Sequence, residues 1–200
     1  MASDAESKLI ARAARSVRII DAPAQAARTP SILLLAASSY GSRPAEDTTI
    51  PTGFDPGAVA LFEAIIEAAY LVANADGEFD EDGRRVFEGI LTEACGGAVT
   101  PQQIAALVAE LHGRLHRDGA ARRIASLAAD RSKPEQTREV LRVAALVGQA
   151  SHGASASERE VLAKIATVRG LGASDVDAAL AHARSVLSSG DGASAPESAR

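Results

Sequence analysis

The chain has 200 residues, 46% of them hydrophobic but only 3% aromatic, and a formal net charge of -5. That length suits one domain with a substantial core, and a core of Ala, Leu, Val and Ile favours packed helices over sheets, which lean on aromatic and β-branched residues. The negative balance excludes a general affinity for nucleic acid or anionic lipid, and the single cysteine, Cys95, excludes an internal disulfide.

Residues 1–20 read as an amphipathic helix, with Leu9, Ile10, Ala13, Val17 and Ile20 at helical spacing and Lys8, Arg12, Arg15 and Arg18 around the rest. The expectation is a peripheral helix that covers the core and keeps a solvated basic face. Asp4 and Glu6 stand where a secretory signal would place positive charge, so a cytoplasmic location is expected. The longest apolar run, Ile32 to Ala37, is far short of the ~20 residues that span a bilayer.

From residue 21 to 55 the periodicity stops and prolines punctuate a long connection, with "SILLLAASSYG" as a short helix or buried segment. Asp55 then caps a helix with Pro56 at its first position, and that helix runs to Asp76-Gly77. Asp80 opens a second helix, which buries Val86, Phe87, Ile90 and Leu91 before Gly96-Gly97. Thr100, Pro101 and Gln103 form a capping box for a third, which breaks at Asp118-Gly119. A short helix covers Ala120 to Ala129. Ser132 with Glu135 suggests another box, Ser155 with Glu158 a further one, and Ser174 starts the last helix.

Two of these segments repeat. "EAAYLVANADG" (Glu67 to Gly77) aligns with "VAALVGQASHG" (Val143 to Gly153), and downstream Asp80 matches Ser155 while Val86, Phe87 and Ile90 match Val161, Leu162 and Ile165. Two related helix–turn–helix units commonly pack with approximate two-fold symmetry, which would bring their turns into comparable positions. The fold expected is all-α: a helical bundle of two such units over 56–188, preceded by the helix of 1–20 and the Pro-containing connection of 21–55, and followed by a disordered tail at 189–200.

"ANADGEFDEDGRRVF" resembles the signature of the TerB-like family, named for tellurite resistance, roughly Ala-Asp-Gly, two residues, Ser/Thr/Asp, two residues, Glu. The resemblance extends in layout over about Pro56 to Ser188, and it is shared with the amino-terminal domain of the DjlA co-chaperone, although no His-Pro-Asp tripeptide of a J-domain occurs. The first turn keeps Ala75, Asp76, Gly77 and the cap Asp80, but has Gly83 at the family's Glu. The second keeps Gly153, Ser155 and Glu158, and has His152 in place of the motif Asp. The resemblance implies an all-helical bundle tied to tellurite and other chemical stress, binding metal ions or a protein partner at an acidic surface, and no known enzymatic activity.

Five carboxylates crowd the seven residues from Asp76 to Asp82. Asp76, Glu78, Asp80 and Asp82 alternate as ligands of a hard cation, Ca²⁺ or Mg²⁺, would require. An EF-hand is excluded, since its twelfth position would be Gly89 rather than a bidentate Glu. The competing reading is a solvated, capped turn, in which Asp80 caps the helix and Glu81 and Asp82 favour its positive end. Both stay open. Repulsion among the five must be relieved by solvent, by Arg84 and Arg85, or by a bound cation.

Elsewhere the chemistry is sparse. His112 and His116 have a zinc-ligand spacing without the adjacent Glu of a zinc protease, Cys95 lacks a plausible base, and no phosphate loop or dinucleotide fingerprint occurs. A basic stretch between His112 and Lys133 reads as a solvated face that could pair with the acidic turn. An all-α enzyme is therefore the least favoured alternative, behind a binding module and a purely structural or protein-interaction domain.

Overall fold

Most helix starts follow side-chain caps; the helix at Ala120 has none, and the last helix begins at Ala173, one residue before the expected Ser174. The computed structural model describes residues 4–16, 31–42, 55–77, 79–129, 134–148 and 155–191. Among them the order is α1 (Asp4–Ser16), α2 (Ile32–Gly41), α3 (Pro56–Ala73), α4 (Glu81–Ala94), α5 (Pro101–Asp118), α6 (Ala120–Ser126) with a 3-10 turn at Leu127–Ala129, α7 (Pro134–Gly148), α8 (Ala156–Val168) and α9 (Ala173–Asp191), with no strand. The fold is all-α, as expected. The apolar run after Ser31 is α2, and α9 continues three residues past position 188.

The Asp55 side chain accepts the Gly57 amide at 2.9 Å, with Pro56 in the first turn of α3. Both complete capping boxes expected from sequence form. In the first, the Gln103 amide donates to Thr100 Oγ1 at 3.2 Å and the Thr100 amide to Gln103 Oε1 at 2.9 Å. In the second, the Glu158 amide donates to Ser155 Oγ at 3.1 Å and the Ser155 amide to Glu158 Oε2 at 2.6 Å. Each such cap is worth about 1 kcal/mol. The box proposed at Ser132 lies outside the described residues.

Helices α3 and α7 pack on each other at the centre. Every residue from Leu61 to Ala73 except Glu63 is buried, and so is every residue from Thr137 to Val147 except Arg138 and Arg142. A helix apolar on nearly all sides needs cover all round, and α3 is long and apolar enough to cross a bilayer by composition, yet 72% of it is buried within this fold. The cover comes from α2, α5 and α8 on α3, and from α1, α8 and α9 on α7.

The repeat is visible in chain order and burial, where α3, α4 and α5 correspond to α7, α8 and α9 with α6 between, although α4 packs chiefly on α1 and α5. Val86, Phe87, Ile90 and Leu91 have the same burial classes as Val161, Leu162, Ile165 and Ala166. In both second helices the capping side chain accepts the amide three residues on, from Gly83 to Asp80 and from Glu158 to Ser155.

Helices α1 and α2 belong to the same core, where Ile10, Ala11, Ala14, Leu33, Ala36 and Ala37 are fully buried. Lys8 and Arg12 are exposed. Arg15 is not part of a solvated face: its guanidinium donates to the carbonyls of Glu93 and Ala94, which α4 leaves without helical partners at its end. Val17, Arg18 and Ile20 lie outside the described residues.

The end of α2 touches the loop after α4 with no room to spare. A β-carbon on Gly41 would stand 1.8 Å from the Ala98 carbonyl oxygen, and the Gly41 carbonyl accepts from Gln103 Nε2 at 3.3 Å. Gly41→Ala is expected to lower stability by about 1–3 kcal/mol. A urea midpoint that does not move would show that α2 shifts without cost.

Candidate functional site

The first turn begins where α3 ends. Asn74 closes that helix, the Gly77 amide donates to the Asn74 carbonyl at 3.3 Å, and Gly77 takes φ 78, a left-handed conformation that favours glycine. Phe79 then turns back onto the core. Its ring meets Tyr70 edge-on at 5.3 Å and Phe87 at 5.7 Å, and Tyr70 and Phe87 meet at 6.0 Å. This trio pins the turn to α3 and α4.

The carboxylates have separate fates. Asp80 Oδ1 accepts the Gly83 amide at 2.7 Å and is the cap of α4. Glu81 pairs with Arg84 at 3.2 Å, and Asp82 with Arg85 at 2.8 Å. These exposed pairs contribute little stability, but they offset local charge. The capped-turn reading therefore accounts for Asp80, Glu81 and Asp82. Glu78 lies outside the described residues. Asp76 is exposed at the tip of the turn.

Asp76 lies near the second unit. Glu158 of α8 is buried, and burial pushes its carboxyl above the ordinary range. The amide and hydroxyl of Ser155 oppose that shift, while the charge of Asp76 adds to it. The capping box of α8 thus feels a carboxylate of the first turn. Ala75, next to Asp76, lines a cleft together with Ser157 and Glu160 of α8, so the first turn lies against the start of that helix. His152 and Gly153 lie outside the described residues. Among the described residues, no group of three or more His, Cys, Asp and Glu side chains is placed to hold a metal ion.

An apolar cleft of about 610 Å³ opens beside Ala75. Ala121, Ile124 and Ala125 of α6 form one wall, and Val161, Lys164 and Val168 of α8 line the other. No sequence motif announces it, because it depends on the spacing of two helices far apart in the chain.

The other candidates resolve into structure. Cys95 is fully buried, and burial pushes its thiol up to about 12, so it is no nucleophile near neutral pH. The basic stretch finds partners away from the acidic turn: Arg114 pairs with Glu110 at 2.5 Å, and Arg123 with Glu67 at 2.6 Å and Asp118 at 3.3 Å. Arg131 and Lys133 lie outside the described residues. His112 is held at its Nδ1 by the Tyr70 hydroxyl, at 3.0 Å.

The family model described as "Tellurite resistance protein TerB" matches residues 62–181. No curated protein and no solved structure matches the chain.

Proposed function

Because the chain belongs to the TerB family, we propose that it is a non-enzymatic, cytoplasmic binding module of chemical-stress response, tellurite stress included, that takes a divalent cation between Asp76 of its first turn and Glu158 at the start of α8. The observation that carries this reading is that the first turn lies against the start of α8, where Ala75 lines a cleft with Ser157 and Glu160 and the charge of Asp76 adds to the raised pKa of Glu158. Two like charges brought together at the end of a buried cap disfavour each other, and a cation between them turns that cost into binding energy.

The donor set limits which cation fits. Two carboxylates suit an ion that keeps most of its water, as Mg²⁺ does, whereas Ca²⁺ takes about six to eight oxygen ligands. Asp80, Asp82 and Glu158 already accept from the Gly83 amide, from Arg85 and from the Ser155 amide, so of the four carboxylates expected from the alternating spacing the ion meets Asp76 among the described residues, together with the remaining oxygen of Glu158. Binding through so few protein oxygens is accordingly weak.

Titration of the full chain with Mg²⁺ and Ca²⁺, followed by NMR or calorimetry, tests this. The expected result is saturable binding that is lost in the double variant Asp76→Asn, Glu158→Gln. Glutamine retains the capping-box acceptor, so α8 keeps its start. A parent protein that shows no saturable signal removes the cation from the proposal.

A protein partner at the same turn is the second reading, and the cleft beside Ala75 favours it. The complementary partner presents an apolar face edged by Lys or Arg, the face filling the cleft and the charges meeting Asp76. If neither ion nor such a partner binds, the domain is purely structural.

A further inference from the structure

His112 and His116 stand one turn apart on α5, both exposed. Their ring centroids are 4.2 Å apart, with 49° between the planes. The Nδ1 atom of each ring already has a partner. For His116 it is the His112 carbonyl, at 3.1 Å. A carbonyl oxygen only accepts, so His116 Nδ1 carries the proton and its Nε2 is left with a bare lone pair. For His112 the partner is the Tyr70 hydroxyl, at 3.0 Å, which Asn74 Nδ2 approaches at 3.4 Å. With Asn74 donating to it, that hydroxyl gives its own proton to Nδ1 in the free protein, and it can instead accept an Nδ1 proton in the tautomer that frees the Nε2 lone pair for a metal.

We propose that His112 and His116 form a two-histidine chelate for a divalent transition ion of the zinc and copper class, held by Nε2 of each ring. The groups on the far side of the rings are those that orient histidine ligands in metal sites: a hydroxyl that accepts from one imidazole and a backbone carbonyl that accepts from the other. Metal–nitrogen bonds of about 2.0–2.1 Å require the two nitrogens to come within about 4 Å of each other, a span that rings centred 4.2 Å apart reach by small side-chain rotations. Arg114, on the same helix, has its charge offset by Glu110. Water completes the coordination.

The site is separate in place and in chemistry from Asp76 and Glu158. It offers neutral nitrogen, which late transition ions prefer, where those two offer carboxylate oxygen, which Mg²⁺ and Ca²⁺ prefer. Tyr70 links the two regions, since its hydroxyl orients His112 while its ring packs on Phe79 of the first turn.

The test is calorimetric titration of the full chain with Zn²⁺ and, separately, with Cu²⁺. One ion per chain is expected, Cu²⁺ binding more tightly than Zn²⁺. His112→Gln and His116→Gln should each weaken binding at least tenfold; His116 is exposed and bonds only a backbone carbonyl of its own helix, so His116→Gln keeps the fold even if His112→Gln, which loses the Tyr70 bond, does not. Tyr70→Phe, which keeps the ring and removes the orienting hydroxyl, should weaken binding about tenfold. His182→Gln should titrate as the parent does. The proposal is overturned if His116→Gln also titrates as the parent does, or if Asp76→Asn with Glu158→Gln abolishes Zn²⁺ binding while the histidines are intact.

Discussion

Arg123→Ala is expected to cost about 3–5 kcal/mol of stability at pH 7, a large share of what holds a domain of this size together. Arg123 reaches from α6 to Glu67, in the middle of α3, with Nε 2.7 Å from Oε1 and a second contact at 2.6 Å. The two side chains are only 15% and 9% exposed. Asp118 meets the same guanidinium. Removing the arginine leaves the Glu67 carboxylate inside an apolar helix interface with its main counter-charge gone.

The pH dependence distinguishes this account from simple loss of packing. Burial raises the Glu67 pKa above its ordinary 4.5, and Arg123 opposes the rise by hydrogen bond and charge. An acid with a raised folded-state pKa contributes stability that is fully present below its unfolded pKa and is lost as pH rises through the folded one. Without Arg123 the folded pKa climbs further, so more stability is lost between acid and neutral pH. Urea midpoints of parent and variant should therefore lie closer together near pH 4.5 than at pH 7.5. An equal gap at both pH values would mean that Glu67 is not the origin of the cost.

Phe87→Ala is expected to cost about 3–5 kcal/mol as well, for a different reason. The chain has four Phe and two Tyr, and three of these six meet at the first turn. Phe87 is 1% exposed, and it supports both Tyr70 and Phe79. Its truncation leaves a cavity and also frees Phe79, the residue that ties the acidic turn to the core. Denaturant unfolding reads the first effect, and faster amide exchange from Asp76 to Asp80 reads the second. Phe87→Leu should cost distinctly less. A loss below about 1 kcal/mol in Phe87→Ala would show that the site collapses to fill the gap.

The parts legible in the sequence are those set by local chemistry. Thr100 with Gln103, Ser155 with Glu158, and Asp55 before Pro56 act within one helical turn, so spacing alone reveals them. The duplicated apolar triplet was readable because two copies of one pattern were on view. What escaped depends on elements distant in the chain. Glu67 and Arg123 are 56 residues apart, Tyr70 and His112 are 42 apart, and Arg15 finds α4 carbonyls nearly 80 positions away. Arg15 illustrates the difficulty, since its residue type suggests solvent and its position in the bundle gives it a helix end to satisfy. The acidic turn divides the same way: Asp80 could be assigned from its neighbours, whereas the influence of Asp76 on Glu158 required α8 in place.

The mutual burial of α3 and α7 also bears on how the molecule comes apart. A tandem array whose modules touch only at their margins can melt one module at a time. Here, loosening either module strips the other's innermost helix of cover and opens long apolar faces to water, which disfavours half-melted intermediates. Heat should therefore dismantle both copies in one cooperative event.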